Sequence, residues 1–222
     1  MKKVFILLLY LFCVSCVFAQ TTGAISVQAL FGNSNLQLDK FYKLKSGDSV
    51  KIETLSFYIS GIELLNSGVS VWKEKNSFHL IDVSKKNAIN IPSNIKYDHI
   101  KFNLGIDSVT NVSGAMGGDL DPTKGMYWTW QSGYINFKLE GNSNLCATKK
   151  SEFQFHLGGY QYPANSLQTI QLSTKENQNI NIVLDLEKVF SQINLSKQNH
   201  IMMPGKEAVS ISKNIAHLFS IQ

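Results

Sequence analysis

Residues able to do chemistry gather in three short stretches of this 222-residue chain. In "GMYWTWQSGY", residues 125–134, Trp128 and Trp130 stand two apart beside Met126, Tyr127 and Tyr134. In "EFQFHLGGY", residues 152–160, His156 is followed by Leu157 and then by Gly158 and Gly159, where another group has room to approach closely. In "HIMM", residues 200–203, His200 is joined by the thioethers of Met202 and Met203. Neutral imidazole suits copper and soft sulfur suits Cu(I), which adds Met116 and Met126 as secondary candidates. The same residue types have commoner structural uses. Methionine fills irregular cores, and a histidine bonded to a surface neighbour looks no different in sequence.

Other constellations are missing. The remaining histidines are His79, His99 and His217, and no two of the five form HxH or HxxxH, so a closed zinc site has no support. Asp107, Asp119 and Asp121 offer hard oxygens of the kind calcium takes, but "DLDP" lacks the ligand spacing of a calcium loop and reads as a turn. There is no GxSxG, no phosphate-binding glycine loop and no HExxH, so the expectation is a protein that is not an enzyme.

Strand phase decides what these residues face. In "YINFKLEG", Ile135, Phe137 and Leu139 share one face, the core face, and Asn136, Lys138 and Glu140 the other. Carried backwards unbroken, this phase puts Trp128 and Trp130 on the polar side. Either "SG" at 132–133 holds a bulge that reverses it, or the tryptophans are not ordinary core residues. In the next run Phe153, Phe155 and Leu157 point inward, and Glu152, Gln154 and His156 outward.

The elements that must position them are strands. Runs such as "AISVQALF", "SVKIETLSFYISGIEL", "SFHLID", "HIKFNLGI", "LQTIQLS" and "NINIVLDL" recur between Gly, Asn, Ser and Asp clusters. This spacing predicts one all-β domain over residues 20–222, an antiparallel β-sandwich. Ala208, Ile211, Ile215 and Leu218 fall at helical spacing after Pro204 and Gly205, predicting a short C-terminal amphipathic helix over 206–219. "LEKVF", 186–190, reads as a single turn. The longest irregular segment, 107–125, leads into the tryptophan run, and long loops in compact domains are functional or disordered.

The first residues speak to compartment. "MKK", an apolar run and "VFA" before Gln20 read as a signal peptide over 1–19, so the mature chain is exported, periplasmic or extracellular. Lipid attachment at Cys16 is the second reading, because Cys13 stands where leucine is usual. Loss of Cys13 and Cys16 leaves Cys146 without a disulfide partner. Loss of Lys2 and Lys3 takes the formal charge from +5 to +3. All basic residues are lysine and they are scattered, which argues against a nucleic-acid partner. No later segment has transmembrane length.

Taken in order, "LSFYISGIEL", "FHLID", "FNLGIDSVTNVSGAMGGDLDPTKGMYWTWQSGYINFKLEG", "FQFHLGGY", "DLEKVF" and "HIMMPG" resemble the MbnP-like copper-binding protein family, from about residue 25 to 219. The resemblance implies an exported bacterial β-sandwich that binds Cu(I) through histidines and a tryptophan oxidised to kynurenine, with a di-haem peroxidase as modifying partner. It makes His156 a ligand and Trp128 or Trp130 the modified residue. It also implies a further histidine on the first strand, where "VQALFG" has Ala29; His79 or His200 would then substitute. Two other readings stand beside it. Trp128, Trp130 and Tyr134 could form an exposed platform for a glycan or protein in a secreted, non-catalytic interaction module, or the aromatics could simply pack under the long loop.

Overall fold

The computed structural model describes residues 22–131, 133–175 and 179–222. The signal-peptide reading, with Cys13 and Cys16, lies outside the described residues. Among those described, no helix is long and apolar enough to cross a membrane.

Alternating β-branched and aromatic residues build the strands as expected. They are β1 (Thr22–Phe31), β2 (Ser34–Asn35), β3 (Phe41–Lys43), β4 (Ser49–Asn66), β5 (Val69–Lys73), β6 (Phe78–Asp82), β7 (Ala88–Pro92) and β8 (His99–Leu104). They continue with β9 (Tyr127–Trp128), β10 (Gly133–Ser143), β11 (Glu152–Gly158), β12 (Gln168–Ser173), β13 (Asn179–Asp185), β14 (His200–Ile201) and β15 (Phe219–Ile221). One sheet runs β15-β13-β1-β2 with β7 also on β1; the larger runs β12-β8-β4-β10-β11-β14, with β3, β5 and β6 on β4 and β9 on β10. The pairing is mostly antiparallel, but β13 lies parallel to β1 and β14 parallel to β11. The result is a sandwich-like all-β fold with curled, mixed sheets.

The main core lies between the sheets. Ile25, Val27, Ile182 and Leu184 of the smaller sheet meet Phe57, Phe137 and Phe155 of the larger. Among the described residues, α1 (Ser108–Val112) lies in the long loop, while α2 (Leu186–Ser191) and α3 (Lys206–Ala216) trim this core. The stripe Ala208, Ile211 and Ile215 buries α3 against the core, as its spacing predicts. The helix stops at Ala216, short of the expected 219, because Phe219–Ile221 pairs with β13 and drives Phe219 edge-on into Phe57 at 5.7 Å. That pairing is non-local and has no local signal.

The outer face of the large sheet carries a second cluster: Tyr58, Ile106, Leu120, Met126, Trp128, Tyr134 and Ile135. Ile135 therefore does not share the face of Phe137, contrary to the phase reading. The register of β10 against β11 slips between Ile135 and Phe137, so the bulge sits at Asn136 rather than at the Ser-Gly pair. Buried Asn136 makes it tenable: its Oδ1 accepts from Ile106 N at 2.9 Å and its Nδ2 donates to Ser166 Oγ at 2.9 Å. Gly105 answers it from just past the end of β8, since a Cβ there would lie 2.3 Å from the Asn136 amide carbon. Asn136→Ala should cost about 1–3 kcal/mol, because the Ile106 N–H loses its acceptor in a dry site. Urea unfolding of the variant measures this, and an unchanged midpoint would show that the bulge does not depend on the amide.

Candidate metal centre

The tryptophan run is a hairpin, not one strand. Trp128 pairs with Gly133 and Tyr127 with Tyr134, so the chain reverses between them. The reversal separates the two indoles: Trp128 is 6% exposed and Trp130 is 62% exposed at the turn, with ring centroids 5.8 Å apart. The long loop covers Trp128 and Tyr134 and is tied down by its own polar side chains. Asp107 caps α1, accepting from Thr110 N at 2.8 Å, and Asn111 accepts from Tyr134 N at 2.8 Å while donating to Ile106 O. Tyr58 and Tyr134 hydroxyls donate to the carbonyls of Asp119 and Leu120. With Tyr134 and Trp128 buried, the three-aromatic exposed platform reduces to Trp130 alone.

Asp119 anchors the loop to the sheet by accepting from Leu80 N at 3.0 Å and from Lys124 Nζ at 2.6 Å. Burial pushes its carboxyl pKa up, but those two donors outweigh this and hold it below its ordinary 3.8. A depressed folded pKa means that the unfolded state binds more protons, so this contribution is full above the ordinary value and is lost as pH falls through the folded one. Loop 107–125 should therefore loosen before the main core on acidification, and Asp119→Asn should blunt that step. Hydrogen exchange of the Leu80 and Leu120 amides across an acid series is the measurement; simultaneous loosening of loop and core would contradict it.

The vacancy beside His156 is filled as the glycine pair suggested. A Cβ on Gly158 would lie 2.6 Å from Cζ3 and 2.8 Å from Cη2 of Trp128, so the benzo ring of the indole rests on Gly158. His156 is the next residue along on that same outer face. It is buried, at 7% exposure, and its Nε2 lies 2.6 Å from Glu140 Oε1. The hydrogen bond from His156 holds the Glu140 carboxyl below its ordinary pKa against the opposing effect of burial, with Lys138 adding to the depression. An ionised carboxylate only accepts, so Nε2 is the donor to Glu140 and Nδ1 is the ring nitrogen that Glu140 does not engage. Carboxylates commonly orient metal-binding histidines this way. Sequence phase placed Glu140 on the outer face, but only the β10–β11 register, Glu140 opposite Gln154 and Lys138 opposite His156, makes it the partner.

His200 pairs with Gln154, which puts it on the same face as a diagonal neighbour of His156, with Cα atoms about 8 Å apart by ideal strand geometry. It lines a cleft of about 570 Å³ with Trp130, Met202 and Met203. The structure thus gathers His156, Trp128, Trp130 and His200 at one corner of the large sheet. His79 is not among them. It pairs with Ile59, whose side chain is in the main core, and its Nε2 is taken by Glu74 at 2.8 Å. The row Ile81–Phe57–Phe137–Leu157 places β6 three strand spacings from β11, about 14 Å. Ala29 is also buried in the main core, on the far side of the large sheet from His156, so a histidine there would not share its face.

The remaining candidates stand apart. Asp107, Asp119 and Asp121 each cap or anchor the backbone beside them rather than converging, and among the described residues no three His, Cys, Asp or Glu side chains form a metal cluster. Cys146 is buried and its thiol pKa is pushed up by that burial. His99 is bonded to Asp98 at 2.8 Å.

These observations define a sandwich-like all-β protein whose larger sheet carries, on its outer face, a carboxylate-anchored histidine beside a buried indole. The sequence profile of the MbnP family matches residues 20–204, and the chain belongs to that family. Among solved structures it is similar to MbnP from Methylosinus trichosporium, at 14% identity over 79% of each chain with a TM-score of 0.55, a likeness of fold. A comparison with curated proteins gives no match.

Proposed function

We propose that this is an exported, non-enzymatic copper-binding protein that captures or stores Cu(I) at the corner built from His156, His200 and the tryptophan pair. The observation that carries the reading is the seating of Trp128 on Gly158, beside a buried histidine held through its Nε2 by Glu140. The donor chemistry fits. With no cluster of three hard or imidazole donors among the described residues, this corner offers two imidazoles, thioethers and indoles, a set suited to Cu(I) rather than to Ca²⁺. His200 takes the place that neither Ala29 nor His79 fills.

Trp128 is the tryptophan we assign to modification, because it adjoins His156 on the sheet face. Oxidative opening of its indole to kynurenine takes peroxide as the oxidant, places oxygen on C2 and C3 as their bond breaks, and releases the C2 carbon as formate on hydrolysis, leaving an aniline nitrogen and one ketone oxygen that could ligate where indole does not. Family resemblance supports a di-haem peroxidase as the modifying partner, and Trp130, tilted against Trp128 at 5.8 Å, is the exposed side from which such a partner would approach. Intact mass, peptide mapping and metal content of protein from its native host, with and without the peroxidase, test this. Kynurenine at Trp128 with bound copper supports it; unmodified, copper-free protein under copper-replete growth overturns it.

A further inference from the structure

Beside this corner, the cleft of about 570 Å³ sets Trp130 against a run some seventy residues further on, His200, Met202 and Met203. The backbone explains the convergence. β14 lies parallel to β11 and carries His200 onto the outer face, and the chain leaves the strand at Met202 and Met203 along the edge of the same cleft. Pro204 and Gly205 then turn the chain into α3, whose first residues, Lys206 and Glu207, close the cleft. The β9–β10 turn supplies Trp130 from the opposite side.

Two large apolar side chains are exposed at this place. Met203 and Trp130 are both 62% exposed, although methionine and tryptophan gain most from burial. The pair fills no core and stands free on the cleft wall. One imidazole and two thioethers are neutral, polarizable donors, a set that selects a soft monovalent d¹⁰ cation over hard divalent ones. The indole face adds attraction for such a cation without supplying a lone pair. Glu207 places a negative charge at the rim and offsets Lys206.

From this convergence we infer a second, outer soft-metal site, His200–Met202–Met203 under Trp130, which takes Cu(I) or Ag(I) at the protein surface. It shares His200 with the proposed centre but needs neither His156 nor any altered tryptophan, so it stands or falls separately. Binding here forms metal–sulfur and metal–nitrogen bonds to neutral donors and involves no electron transfer.

Ag(I), which is redox-silent, is the probe, added to mature protein made without the peroxidase and labelled at the methionine ε-methyls. The Met202 and Met203 methyl signals should move together with quenching of Trp130 fluorescence, while Met126, buried in the second cluster, stays put. Met202→Ile with Met203→Ile should weaken Ag(I) binding by about 100-fold, and Trp130→Phe should remove the quenching. His156→Ala should leave the methyl shifts intact. Unmoved Met202 and Met203 signals in the unsubstituted protein, or shifts abolished by His156→Ala, would overturn the inference, and the first needs no variant to fold.

Discussion

Gly158→Val should lower thermal stability by several degrees and unseat Trp128. The position is strained by space, not backbone, since Gly158 is not among the glycines with a left-handed φ. Its missing side chain is occupied from two directions: Cζ3 of Trp128 at 2.6 Å and the carbonyl oxygen of Tyr134 at 2.7 Å from the Cβ that would be added. The carbonyl belongs to β10 and cannot retreat without breaking its ladder. The indole cannot retreat without opening the second cluster, closed over by Tyr58, Leu120 and Tyr134. Overpacking of this kind costs about 1–3 kcal/mol, and valine adds two methyls beyond the Cβ. For a chain of this size that is a drop of about 2–4 °C per kcal/mol. The Trp128 indole N–H resonance should shift in the same variant, and under the proposed function copper retention should fall with it. Melting within about 1 °C of the parent with an unmoved indole signal would show that the ring does not rest there.

Under the proposed function, His156→Ala should have the largest effect on copper. It removes the buried imidazole whose orientation Glu140 fixes, while His200, Met202 and Met203 remain. Cu(I) should no longer be held at the inner corner, read by competition with a chromophoric Cu(I) chelator. The variant also removes the shortest contact of Glu140, whose carboxylate keeps Lys138 at 3.8 Å and the Thr54 hydroxyl. Its pKa should rise towards the ordinary 4.5, since the His156 hydrogen bond is the leading cause of its depression. In the parent that depressed value contributes stability above 4.5 that is lost as pH falls through the folded pKa; in His156→Ala this acid-dependent step should shrink. His156→Gln separates the two roles: a side-chain N–H can still meet Glu140 and restore stability, while copper is not recovered. Copper affinity unchanged in His156→Ala would place the inner centre elsewhere.

Local signals carried much of the fold. Long runs with period-two alternation became β1, β4, β6, β8 and β10 to β13, because burying one face of a strand imposes alternation whatever its neighbours are. The stripe Ala208, Ile211 and Ile215 became α3 for the analogous helical reason. The short strands β2, β3, β7, β14 and β15 escaped notice. Two to five residues carry too little pattern, and these exist because a longer strand offers them an edge.

The residue types of the site were equally legible. Two glycines after His156 announced a close approach, and the unbroken phase raised the right question about the tryptophans. What sequence alone left open was where the phase breaks and what then meets what. The break falls at Asn136 because a buried amide bonds Ile106 and Ser166, partners that are 30 residues away on either side. A hairpin sends Trp128 inward and Trp130 outward although they are two residues apart. Register between β10 and β11 chooses Glu140 as the partner of His156, and the parallel docking of β14 carries His200 to the same face. Alternation along one strand is a property of that strand, so the sequence determines it. Proximity between strands depends on register and bulges fixed by distant side chains, so only the assembled sheet decides it.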